Sequence, residues 1–305
     1  LIYCSLRCRY QEGEHVCFVA LEGIKSAPLG GERLHLEGWL LVWQSKFSGA
    51  LGKLELARQL LEASQEKLAQ AQAAGQDTRL GQAFYWRERG GYQNNLQEQF
   101  NCFQNSATLF QELGETWRQA GMLNAAGNVA LGMDERPMGL KLLKEAYEIS
   151  RVVGEPRTLG AALENLAYYE LVSGTIEKGV QLMHQAADSY RAAGDLGSVA
   201  AAELHLSVML GWMGHFTEAH EAIKLALPLQ LQAGDRYGWV FGMVGLGVCE
   251  MELGEYGVAT NTLQEALEAA RRDNFPREEA IILVCLGCLN LVQRGDSQAL
   301  ASIEE

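Results

Sequence analysis

Residues 194–233 read GDLGSVAAAELHLSVMLGWMGHFTEAHEAIKLALPLQLQA, and residues 234–273 read GDRYGWVFGMVGLGVCEMELGEYGVATNTLQEALEAARRD. Both stretches open on Gly-Asp. Both carry a glycine at the same depth, Gly214 and Gly254, and an alanine further on, Ala226 and Ala266. The offset is identical in all three cases. Working outward, the glycine–acid pair recurs at Gly114-Glu115 and Gly154-Glu155, the inner glycine at Gly174, and the alanine at Ala146 and Ala186. Three registers sharing one step, about 40 residues long, mark a repeat array.

Each register has a physical task. A helix commonly stops at a residue in the left-handed region, which glycine enters without a Cβ penalty. Gly154, Gly194 and Gly234 are therefore expected to end helices. The acid that follows is placed to cap the next one, at the positive end of its macrodipole. Gly174, Gly214 and Gly254 are expected to form a tight turn inside each pair. The alanines fall where two helices approach closely. Between these marks the apolar spacing is helical: Leu204, Val208 and Trp212 on one segment, Ala219, Ile223 and Leu227 on the next. Each unit is read as two antiparallel helices that must stack on their neighbours to bury an apolar face.

The expected fold class is all-α, a right-handed α-solenoid of antiparallel helix pairs. The units run 32–75, 76–114, 115–154, 155–194, 195–234 and 235–274. A partial pair precedes them at 1–31, and a truncated one follows at 275–305. The whole of 1–305 is taken as a single repeat domain, expected to belong to a longer protein. Two places break the pattern. Gly90-Gly91-Tyr92-Gln93-Asn94-Asn95 suggests a longer second helix or an insertion. Met133-Asp134-Glu135-Arg136-Pro137 puts proline where a glycine turn is due.

Within unit 235–274, Leu246-Gly247, Gly254-Glu255-Tyr256, and Ala259 followed by Leu263 and Ala266 resemble the tetratricopeptide repeat pattern. Gly214-His215-Phe216, Ala219, Ile223 and Ala226 repeat it one unit earlier. The step exceeds the common period of that repeat, which is about 34 residues. Longer units ending on Gly-Asp or Gly-Glu resemble the sensor arrays of bacterial signal-transduction ATPases with numerous domains, the class that includes the maltose-regulon activator. Peptide-pheromone receptors of Gram-positive bacteria and kinesin light chains are similar in period. The resemblance implies a module that receives a protein, a peptide or a small inducer in a concave groove, within a signalling or transcription-regulatory protein. A free-standing interaction scaffold and the repeat arm of a caspase-like protease are the alternatives it leaves.

Composition narrows the field. The chain of 305 residues has a net charge of −13 and only 5 prolines. Such an acidic chain repels phosphate backbones, so direct nucleic-acid binding is not expected. No apolar run is long enough to suggest a membrane span. The seven cysteines are odd in number and mostly set among apolar residues, as in reduced thiols of a cytoplasmic protein. No phosphate-binding loop occurs. Cys285 and Cys288 have ligand-like spacing but lie in an apolar helical run without a second pair, and His215 and His220 are five apart rather than four. Neither a catalytic residue nor a metal or cofactor is expected, and the segment is not expected to be an enzyme.

A ligand is therefore sought on the first helix of each pair. Asn124, Asn128 and Asn165 are the sharpest signal, since amides are poor helix formers and can hold a peptide backbone. Groove asparagines serve this purpose in the pheromone receptors and kinesin light chains that the repeats resemble. Glu164, Tyr168, Leu204, Val208, Trp212, Phe241 and Arg87 complete the expected groove. The cut repeat ends offer surfaces for self-association.

Overall fold

A computed structural model of the chain describes residue 1 and residues 9–294. Cys4, Cys8 and the tail beyond residue 294 lie outside the described residues. The chain divides into two compact units, Leu1–Gly154 and Glu155–Glu305, at one of the glycine–acid steps.

In the first unit, α1 (Tyr10–Ile24) packs on α2 (Gly31–Ala50), which pairs with α3 (Leu54–Ala73). Next come α4 (Arg79–Gly91) with α5 (Leu96–Glu112), and α6 (Thr116–Gly132) with α7 (Arg136–Val153). The second unit pairs α8 (Pro156–Val172) with α9 (Ile176–Ala192) and α10 (Leu196–Trp212) with α11 (Phe216–Ala233). It continues with α12 (Arg236–Glu252) and α13 (Tyr256–Arg272), then α14 (Pro276–Arg294). All fourteen elements among the described residues are helices, and the fold is the expected stack of tetratricopeptide-like pairs.

The turn glycines behave as their positions require: Gly154, Gly174, Gly194, Gly214, Gly234 and Gly254 all hold positive φ. The acids after the helix stops act as caps. Asp235 accepts from the Gly238 amide at 2.9 Å, and Glu155 accepts from the Arg157 and Thr158 amides at 3.2 and 2.6 Å. Each such cap contributes about 1 kcal/mol. Glu115 departs from the series. It pairs with Arg118 and accepts no amide through its side chain.

Ala146, Ala186, Ala226 and Ala266 are each 0 % exposed, as a close helix crossing demands. The series extends one unit further back than the sequence suggested. Ser106 takes the alanine position one period before Ala146, and its hydroxyl donates to the Ala83 carbonyl at 2.8 Å. Ser64 on α3 does the same to Gly38 on α2, at 2.8 Å. A hydroxyl tolerates this crossing because the facing carbonyl satisfies it.

Both irregular stretches fold differently from expectation. Asp134 holds a φ of 62°, so the α6–α7 turn has the usual shape with aspartate in the glycine's place. Pro137 lies in the first turn of α7, where its missing N–H costs nothing. In unit 76–114 the second helix is not lengthened: α5 has 17 residues. The first helix is instead short, at 13 residues, and the connection through Tyr92 and Asn95 is a loop. Gly90, near the end of that helix, lets the Phe103 ring of α5 pack close, since a Cβ there would meet the ring at 2.6 Å.

Candidate functional site: the first-helix face

Neighbouring first helices touch: α2 packs on α4, α10 on α12, and α12 on α14. Among the described residues no second helix makes a comparable contact with the next second helix. Within each unit the first helices therefore line the inner side, and the second helices splay outward.

The second unit shows which residues face out from that inner side. On α8 they are Asn165 and Tyr168, both half-buried; on α10, His205 and Val208, also half-buried. Trp212, one turn beyond Val208, is 66 % exposed, and Phe241 on α12 is 42 % exposed. The two rings are on different levels, Trp212 at the C-terminal end of α10 and Phe241 near the N-terminal end of α12, so each is an exposed aromatic at its own point along the face.

A polar network joins α8, α9 and α10 on this side. Glu164 on α8 accepts the Tyr190 hydroxyl at 2.7 Å and faces His205 Nδ1 at 2.9 Å. A carboxylate only accepts, so Nδ1 is the donor and Nε2 is left as the outer polar atom of the ring. Tyr168 sets its ring edge-on against His205, with centroids 5.2 Å apart. Burial, and then the Glu164 carboxylate, push both the Tyr168 and the Tyr190 phenols well up, so both remain protonated and Tyr190 stays a donor. Tyr190 reaches Glu164 because α8 has glycine at 160; a Cβ there would lie 2.8 Å from its ring.

The expected residues divide accordingly. Glu164, Tyr168, Asn165, Val208, Trp212 and Phe241 all lie in the second unit, and the structure brings Glu164 and Tyr168 together around His205. Leu204 is buried, at 4 % exposure, beneath the surface rather than on it. In the first unit Asn128 is exposed on α6, but Asn124 is only 7 % exposed and its Oδ1 has no partner. Arg87 on α4 stacks over the Phe84 ring at 4.7 Å and pairs with Glu88. His205 and Tyr190 were missed. His205 stands one period after Asn165, so the step that selected Asn165 could have found it.

Cys17, Cys102 and Cys249 are buried free thiols, whereas Cys285 and Cys288 are half-buried on α14. Among the described residues no group of three or more His, Cys, Asp or Glu side chains converges as metal ligands would. No helix among them is long and apolar enough to cross a membrane.

No family model matches the chain, and no curated protein matches it. Solved structures do. The apo form of RapI superposes with a TM-score of 0.73 at 13 % identity, covering 98 % of this chain and 84 % of that one. The apo form of the quorum sensor NprR from B. thuringiensis gives 0.64 at 15 %, covering 92 % and 78 %. A signal transduction ATPase with numerous domains, carrying a tetratricopeptide repeat sensor, from Pyrococcus horikoshii gives 0.59 at 14 %, covering 90 % and 43 %. At such identities the likeness establishes the fold, a tetratricopeptide-like stack, and leaves function to the site itself.

Proposed function

We propose that this chain is the sensor module of a bacterial signalling or transcription-regulatory protein, and that it binds a protein or peptide segment on its first-helix face without catalysing a reaction. The observation that carries the proposal is the outward stripe of α8 and α10, where half-buried Asn165, Tyr168, His205 and Val208 lead to the exposed Trp212 and His205 is held by Glu164 of the Glu164–Tyr190 pair. Such a surface offers apolar anchors and one oriented imidazole, the usual composition of a recognition patch. Two of the similar structures are themselves described as sensors, one of them within a multidomain ATPase. A nucleotide-binding module would then lie outside this segment. Free thiols at Cys17, Cys102 and Cys249 support a cytoplasmic setting.

The test is selection of peptides from a displayed library on the wild-type protein, followed by titration into Trp212→Ser and His205→Ala. Selected peptides should bind each variant at least tenfold more weakly. Undiminished binding to both would reject the first-helix face as the receptor surface.

A further inference from the structure

A second site is suggested by the broken repeat. The α4–α5 loop, the end of α4 and the first half of α3 enclose a cleft of about 570 Å³, lined in part by Arg58, Glu62, Gln65, Tyr85, Arg89 and Asn94. Arg89 and Tyr85 lie on the opposite side of α4 from Arg87, because two residues turn a helix through about 200°. The cleft is thus separate from the first-helix face.

Its walls are held in place. Tyr92 donates to the Ser45 carbonyl of α2 at 3.0 Å and fixes the loop. Its hydroxyl fits only because residue 49 is glycine: a Cβ there would lie 2.0 Å from that oxygen. Tyr85 donates to Gln65 Oε1 at 2.7 Å, and Arg89 donates to the Tyr85 oxygen at 3.0 Å. Arg89 also stacks on the Trp86 ring at 5.3 Å. Its guanidinium is therefore oriented, with most of its N–H donors uncommitted.

The charges single the cleft out. Around it the cations are paired: Lys53 with Glu14, Lys67 with Glu37, Arg79 with Asp77, and Arg87 with Glu88. Neither Arg58 nor Arg89 takes part in an ion pair among the described residues. In a chain of net charge −13, two unpaired guanidiniums on one cleft are conspicuous, and the half-buried one loses hydration without gaining a counter-charge. A planar guanidinium is suited to a carboxylate or a phosphate. Glu62 on the same wall opposes a polyanion and suits a hydrogen-bond donor or cation on the same ligand.

We infer that this cleft binds a small molecule carrying one compact anionic group, carboxylate or phosphate, against Arg58 and Arg89, with an ammonium or other donor toward Glu62. Matched probes separate the two anions: β-alanine and phosphoethanolamine carry the same ammonium on a carboxylate or a phosphate. Each is titrated at constant ionic strength while the arginine Nε–Hε signals are followed by NMR, with ethanolamine as the probe lacking an anion. The Arg58 and Arg89 signals should shift saturably with at least one anionic probe and not with ethanolamine, and the tighter probe identifies the anion. Arg58→Gln, on an exposed side chain, should weaken that binding at least tenfold, Arg89→Gln should abolish it, and Arg136→Gln on α7 should leave it unchanged. Failure of both anionic probes to saturate, equal shifts with ethanolamine, or unaltered affinity in Arg58→Gln would each overturn the inference. Trp212 lies in the other unit, so these outcomes are independent of the peptide selection.

Discussion

Asp134 and Asn274 occupy the left-handed region at φ 62° and 58°, in the registers where Gly174 and Gly234 stand elsewhere. A side chain there costs about 1 kcal/mol more than glycine, reduced for Asp and Asn by local hydrogen bonding. Replacing Asp134 or Asn274 by Gly should therefore raise stability by about 0.5 kcal/mol, seen as a higher urea midpoint. The reverse change, Gly234→Ala, should lower it by about 1 kcal/mol. In the sequence Asp134 shows only as part of the departure at Met133–Pro137, and Asn274 stands without mark at the end of unit 235–274. The period marks where the glycine is absent, while Asp134 and Asn274 satisfy the same backbone need by another route. The outward face was legible only in part for a different reason. A repeat length establishes which residues are equivalent but not the rotation of the helix about its axis. One residue turns a helix by about 100°. That angle separates buried Asn124 and Leu204 from half-buried Ala125 and His205.

At the scale of elements, the first pair is held by an ion-pair clasp. Glu37 on α2 accepts from Arg33 of the same helix at 2.7 Å and meets Lys67 of α3 at 2.8 Å, while Arg33 also donates to the Lys25 and Ala27 carbonyls before α2. Burial alone would raise the Glu37 carboxyl, but hydrogen bonds from Lys67 and then Arg33 outweigh it, and the net shift is downward. A lowered folded value stabilises the protein above the ordinary carboxylate range and loses that effect as pH falls through the folded value. Glu37→Gln should therefore cost about 2 kcal/mol at neutral pH. Urea titrations should show the gap from wild type closing below about pH 4. The short α4 also belongs to this scale. Gly90-Gly91 suits either a helix end or a tight crossing, and both apply: α4 stops at Gly91, and the Phe103 ring packs against residue 90.

At the scale of the whole molecule, each pair is stabilised by its neighbours, so damage should remain local. Gly247 of α12 lies against Leu263 of α13, where an added Cβ would meet Cγ at 2.6 Å. Gly247→Val should force α12 from α13 at a cost of about 1–3 kcal/mol. Hydrogen exchange should then quicken across α12 and α13, while amides of α2 to α5 in the other unit keep their wild-type protection. Uniform acceleration through the whole chain would contradict this nearest-neighbour behaviour.

The crossing alanines and turn glycines have one more consequence. Few positions in each repeat are dictated by packing and turn geometry; the others need only be helical and of suitable polarity. An encoding this sparse allows two chains to share a backbone over 98 % of one of them at 13 % identity. It also leaves outward positions such as exposed Asn128 and Trp212 almost free of structural duty. The same frame can carry different side chains at such positions without being rebuilt, much as a type case prints different words.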